Sequence, residues 1–296
     1  MGSFAGHALP GTFFLLFAVY WCIHITRRYV ACRAVNVAFY STVTYPCFMA
    51  CSRLSFEGSV KVLVTLIGII GELVASTEPL RSNAVNRLGD LNGVYMGDIQ
   101  HVSMYLWFLL AGIVDILMNM SDFVYLPKGL DYVVSAMAFV AQLLLFYFHT
   151  HGQDQLEMTL HLLLLYVIAA CVATVILEYN FPNSLIVSYA RAYMVLLQGT
   201  WFYQIGFVLY PRFMWQTHWD GNSHENIMLA TVIFSWHLAI DLVLLLLISG
   251  VTYHVSRKHF PVRNGSLEYV WTKRHSNVAP TAAGRVALIS SSDESS

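Results

Sequence analysis

The chain has 296 residues, with Lys+Arg 16 against Asp+Glu 17 and a formal net charge of -1. Charged residues make up 11% and hydrophobic residues 57%, with a mean hydropathy of +0.59, whereas an ordinary soluble domain carries roughly 25% charge. So few charges cannot cover the surface of a soluble globule, and the high net charge of disorder and the basic surplus of nucleic-acid binding are both missing. The composition predicts an integral membrane protein whose first partner is the lipid bilayer.

Seven apolar stretches are long enough to cross a bilayer as helix, which takes about 20 residues. In chain order they are Leu9–Thr26, Val60–Thr77, Tyr95–Asn119, Tyr132–Phe148, Met158–Leu177, Ile186–Tyr210 and Ile227–Tyr253. Backbone groups in lipid must bond internally, so these are helices. The expected fold is all-α: one membrane helix bundle over residues 1–254, followed by a polar tail, 255–296, expected to be cytosolic and disordered. Pro10 suits the opening turn of the first span, where its missing N–H costs nothing. Gly89, Gly93 and Gly97 recur every fourth residue before the third span, a spacing that lets another helix pack closely.

Lys and Arg set the direction of each span. With seven spans, 13 of these residues fall on one side, among them Arg27, Arg28, Arg33, Arg53, Lys61, Lys128 and Arg191, and only Arg81, Arg87 and Arg212 on the other. The N-terminus is therefore expected on the lumenal or outer side and the tail in the cytosol. Asn36–Leu54 is moderately apolar but broken by Pro46. Were it a span, the bias would reverse, so it reads as an interfacial segment on the cytosolic side.

Ionisable side chains inside spans are costly and tend to face the bundle interior. Following each helix in its assigned direction places Glu72 about 8 Å below the outer surface. His101 and His161 lie in the same outer half, His149 at the end of the fourth span, and His237 toward the midplane. Asp115 and Arg191 lie near the cytosolic end, where they are expected to pair. Imidazoles and a carboxylate are ordinary zinc ligands, so Glu72, His101, His149, His161 and His237 form a candidate metal or polar-ligand set. Glu157 precedes His161 by four residues and Asp241 follows His237 by four, a spacing that lets a carboxylate orient an imidazole. Gln204 and His151 complete the surrounding polar shell. Catalytic residues cannot be assigned from these spacings. Three readings stay open: a metal site with an open position, as in a membrane hydrolase; histidines that only hold helices together; and an ion or proton path. Trp107, Trp201, Trp215, Trp219 and Trp236 are explained by an interfacial aromatic belt.

Several of these residues sit in familiar strings: Gly6-His-Ala-Leu-Pro-Gly11, His101-Val-Ser-Met-Tyr105, Val114-Asp-Ile-Leu117, Phe148-His-Thr-His-Gly152, Gln198-Gly-Thr-Trp-Phe202, Gln204-Ile-Gly-Phe207 and Trp236-His237. As a set they resemble the transmembrane protein 45 family, multi-pass proteins with a domain of unknown function. The resemblance implies residence in intracellular membranes such as Golgi, endosome or lysosome, or else in the plasma membrane. It implies no activity and no cofactor. The family pattern has two histidines separated by one residue after the fourth span, and here those places read Thr159 and His161. Thr is the poorer ligand for a borderline metal.

Overall fold

The computed structural model describes residues 3–45, 55–82, 91–120, 125–149, 154–211 and 219–259. Among the described residues are seven α-helices: α1 (Phe4–Ala34), α2 (Phe56–Ser82), α3 (Leu91–Asn119), α4 (Leu130–His149), α5 (Gln155–Asn180), α6 (Leu185–Leu209) and α7 (His224–His259). Each of the seven apolar stretches forms a helix, and six of these are long and apolar enough to cross a membrane. The remaining one, α2, carries Glu57, Lys61 and Glu72 along its described length. Every helix extends past its apolar run at one or both ends, because polar and basic residues at bilayer boundaries continue the turn at little cost.

The start of α1 shows how local chemistry overrides hydropathy. Ser3 caps the helix, its Oγ accepting from the Gly6 N–H at 3.0 Å. That cap begins the helix at Phe4, so Pro10 lies inside it and not in the opening turn. Asp154 caps α5 in the same manner, its Oδ1 accepting from the Glu157 N–H at 2.8 Å. The Leu156 N–H then donates to the Gly221 carbonyl at 2.9 Å, tying the loop before α7 to the start of α5. The expected tail boundary at 255 falls within α7, and residues 260–296 lie outside the described residues.

Packing follows two antiparallel pairs, α1 with α6 and α2 with α3, linked through α4 and α5. Both pairs cross at glycines. A Cβ on Gly58 would lie 2.9 Å from the Gly112 carbonyl oxygen, and one on Gly199 would lie 2.8 Å from the Leu15 nitrogen. Small residues let helix backbones approach closely where lipid supplies no hydrophobic drive. Among the glycines expected to serve this purpose, Gly93 and Gly97 fall in the first two turns of α3 and Gly89 lies outside the described residues.

Interhelical hydrogen bonds complete the core. Gln198 Nε2 donates to Gln142 Oε1 at 3.0 Å, and the Trp201 indole donates to the Leu160 carbonyl at 3.0 Å. Trp201 is fully buried, so it belongs to the core and not to the interfacial belt. α7 is the most lipid-facing of the six, with 11% of its apolar window buried against 61% for α6.

The described half of the α1–α2 connection, 36–45, contains no helix and folds back against the bundle. Ser41 donates its N–H to the Pro182 carbonyl at 2.8 Å, while Val43 and Tyr45 are buried. Residues 46–54 of the expected interfacial segment lie outside the described residues.

Candidate functional site

The two ends of the bundle hold polar clusters of different kinds. At the end where α1 finishes, α2 supplies Glu57 and Lys61, α3 Asp115, α5 Glu178 and α6 Arg191. Lys61 Nζ lies 2.7 Å from Asp115 Oδ2 and 3.1 Å from Glu57 Oε1. Arg191 Nε pairs with Glu178 Oε2 at 2.5 Å. The expected Asp115–Arg191 pair is therefore replaced by two other pairs, because Lys61 faces Asp115 across the Gly58–Gly112 crossing while Glu178 reaches Arg191 from the end of α5.

Further partners come from α1 and from the folded-back connection. The Trp21 indole donates to Glu57 Oε1 at 2.7 Å, and the Tyr45 N–H donates to Glu57 Oε2 at 2.9 Å. Arg191 also donates to the carbonyls of Val43 and Thr42, at 3.2 and 3.3 Å, with its guanidinium 4.2 Å from the Trp21 ring. Burial pushes the Tyr45 phenol well above its ordinary titration range. Each carboxylate here has a basic or N–H partner, which is what allows charge to persist in a low-dielectric interior.

At the opposite end, carboxylates meet imidazoles. Among the described residues, Glu72, Asp98 and His101 each offer a ligand atom within 4.8 Å of the other two. His101 Nδ1 lies 3.2 Å from Glu72 Oε2, bridging α3 and α2. All three side chains are half-buried. Asp98, an ionisable residue inside the third span, is not in the expected ligand set. Its signal was the spacing to His101, three residues along one helix, which puts both on one face.

The other candidates take different places. His161 Nδ1 lies 2.8 Å from the backbone carbonyl of Glu157, its own helix supplying the contact expected from the Glu157 side chain. The His161 ring packs 5.8 Å from that of His7. His7 in turn interacts electrostatically with His101 and Glu72.

His237 meets the edge of Trp201 at 5.4 Å. Asp241 accepts from Thr200 Oγ1 at 2.6 Å, so the expected His237–Asp241 pairing gives way to a bond across to α6. Gln204 is half-buried on α6, and His149 ends α4. His151 lies outside the described residues. Of the expected five ligands, the structure thus joins Glu72 and His101, adds Asp98, and seats His237 against Trp201. Two carboxylates and an imidazole from two helices thus stand together, and these are donor types that divalent metals take.

Residues 128–250 match a family described as "Family of unknown function (DUF716)". The match takes in α4, α5, α6 and most of α7, and leaves Glu72, Asp98 and His101 outside it. The chain is similar to Transmembrane epididymal protein 1 of Rattus norvegicus, 24% identical over 255 residues that cover 85% of this chain and 81% of the relative. It is also similar to Transmembrane epididymal protein 1A of Mus musculus, 23% identical over 272 residues, covering 88% and 84%. Transmembrane epididymal protein 1 of Homo sapiens is 29% identical over 170 residues, covering 55% and 60%. The long apolar helices and these distant relatives together make the chain an integral multi-pass membrane protein.

Proposed function

We propose that this chain is a multi-pass protein of the endomembrane system that binds a divalent transition metal, zinc in the first place, through Glu72, Asp98 and His101. The observation that carries the reading is the convergence of three ligand atoms from α2 and α3 within 4.8 Å. Mixed imidazole and carboxylate donors suit zinc, whose catalytic sites commonly keep three protein ligands and one open position. A zinc ion so held supplies a Lewis acid or an activated water, the chemistry of a membrane hydrolase. The chain's own part is to hold that position between α2 and α3, with His7 and His161 alongside to accept or deliver a proton. His149 and His237 are then outlying members of the same polar end.

A lumenal placement of this end is favoured by the 13-to-3 division of basic residues. A Golgi, endosomal or lysosomal residence is favoured by the resemblance to the transmembrane protein 45 family. Seven crossings, with α2 as the second, follow if α2 spans beside α3. A second reading has a specific contact behind it: the 3.2 Å His101–Glu72 bond joins two helices and can serve as packing glue alone.

Competition against a chromophoric zinc chelator separates the two. Metal binding predicts that wild-type protein withdraws zinc stoichiometrically and that Glu72→Gln with His101→Gln does not. A purely packing role predicts equal indifference to zinc in both, with only the melting temperature changed.

A further inference from the structure

α1 and α7 are far apart in the chain but pack side by side and run the same way. Both are antiparallel to α6: Thr12 and Thr26 on α1 meet Tyr203 and Tyr189, while Asp241 and Ser249 on α7 meet Thr200 and Tyr189. Cys22 Sγ adds a direct contact, 3.2 Å from Ser249 Oγ. Tyr189 thus fixes Thr26 and Ser249 at one level, and beyond it both helices present the same arrangement. Tyr29 and Tyr253 follow about 5–6 Å on, and Arg33 and Arg257 about 11–12 Å on, at 1.5 Å per residue.

Each arginine turns back to its own tyrosine. The Arg33 guanidinium lies 5.8 Å from the Tyr29 ring centroid and donates to its hydroxyl at 3.2 Å. That of Arg257 lies 5.7 Å from the Tyr253 ring centroid. A tyrosine steadies a guanidinium without cancelling its charge. Tyr253 also acts electrostatically on Arg33, across the two helices. Arg33, Arg257 and the neighbouring Lys258 are all exposed.

Among the described residues, none of these three cations is paired with a carboxylate. α1 has no acidic residue, and the last one before Arg257 on α7 is Asp241, about 24 Å back along the helix. Glu57, Asp115 and Glu178 are buried against Lys61 and Arg191, and Asp131 on α4 acts on those same two cations. Arg27 and Arg28, beside Tyr29 in the chain, add positive charge. The corner where α1 and α7 end is therefore cationic.

The depth of this corner identifies the anion. The apolar runs end at Thr26 on α1 and Tyr253 on α7, so the guanidinia stand where hydrocarbon gives way to headgroups. Phosphate oxygens lie at that depth, and the N–H fork of a guanidinium fits them. We infer that Arg33 and Arg257 form a two-pronged site for the phosphate of an anionic phospholipid. A zwitterionic head is disfavoured, because its own cation is repelled by Lys258 and Arg27. The site needs no metal and stands apart from the Glu72–Asp98–His101 reading.

Native mass spectrometry of the delipidated, detergent-purified full chain tests it, with phosphatidylglycerol and phosphatidylcholine of matched acyl chains as competing probes. Wild-type protein is expected to retain one phosphatidylglycerol per chain, with a preference of about tenfold or more. Arg33→Gln with Arg257→Gln is expected to abolish that preference. Arg257→Gln alone is expected to lower it, and serves if the pair does not fold. Arg33→Lys with Arg257→Lys keeps the charge but not the fork, and is expected to keep only part of the preference. Lys128→Gln removes an exposed charge just before α4 and is expected to bind as wild type does.

Equal retention of the two lipids would overturn the proposal. So would a preference that falls as far with Lys128→Gln as with the glutamine pair, since diffuse charge would then suffice. Full preference in the lysine pair would overturn recognition by the guanidinium fork. Displacement of phosphatidylglycerol by inorganic phosphate at equal concentration would overturn the lipid as the occupant.

Discussion

The two ends of this bundle use carboxylates to different effect. At the Arg191 end, Glu57, Asp115 and Glu178 meet Lys61 and Arg191, and the side chains involved are buried almost completely. At the His101 end, Glu72 and Asp98 meet an imidazole and stay half-buried. A carboxylate matched by a permanent cation is charge-satisfied and becomes a structural part. A carboxylate matched by a histidine retains affinity for a further positive charge, because neutral imidazole neutralises nothing and is itself a ligand. The contrast teaches that ionisable residues in a membrane span are told apart by their partners, not by their depth.

The sharpest way to break the comparison is to remove a cation at the structural end. Arg191→Leu leaves Glu178 buried and unpaired and strands the carbonyls of Thr42 and Val43; a loss of about 3–5 kcal/mol is expected. Thermal unfolding in detergent would read it, and zinc affinity of the protein that remains folded should not change. Lys61→Met alone should cost a similar amount. Combined with Asp115→Leu, it should cost clearly less than the sum, because an apolar pair replaces an ionic one. An additive double variant would mean that Lys61 and Asp115 are not a pair.

Next in size is the crossing that brings α2 and α3 together. Gly112→Val places a branched side chain where even a Cβ would come within 2.9 Å of Lys61, at an overpacking cost of about 1–3 kcal/mol. Because the same two helices carry Glu72, Asp98 and His101, zinc affinity should fall along with stability. Smallest in stability is His101→Gln, at about 1 kcal/mol or less for a half-exposed pair, with zinc binding lost. This inverse relation between stability loss and zinc loss at the two ends would sharpen the comparison, and equal effects at both ends would dissolve it.

Much of the architecture was legible in the sequence because a bilayer imposes long apolar runs, and all seven became helices. What failed were inferences about a single side chain's surroundings. Pro10 was read from the edge of the apolar run, yet Ser3 starts the helix earlier. Trp201 was read as interfacial from its place near a span end, yet its N–H reaches the Leu160 carbonyl inside the core. Depth grouped Asp115 with Arg191 correctly, but partner choice depended on α2 and α5 facing them, which hydropathy does not encode. Likewise, depth brought Glu72 and His101 together but could not tell that His237 lies against Trp201. The folded-back segment 36–45 left no periodic signal, since its burial rests on backbone bonds to Arg191 and Pro182.

X-ray absorption at the zinc edge of the zinc-loaded, purified chain tests the metal assignment most directly. The account predicts a shell of nitrogen and oxygen scatterers at about 2.0–2.1 Å with imidazole outer-shell features, the latter lost in His101→Ala. A sulfur shell near about 2.3 Å, or a spectrum unchanged by that substitution, would contradict it.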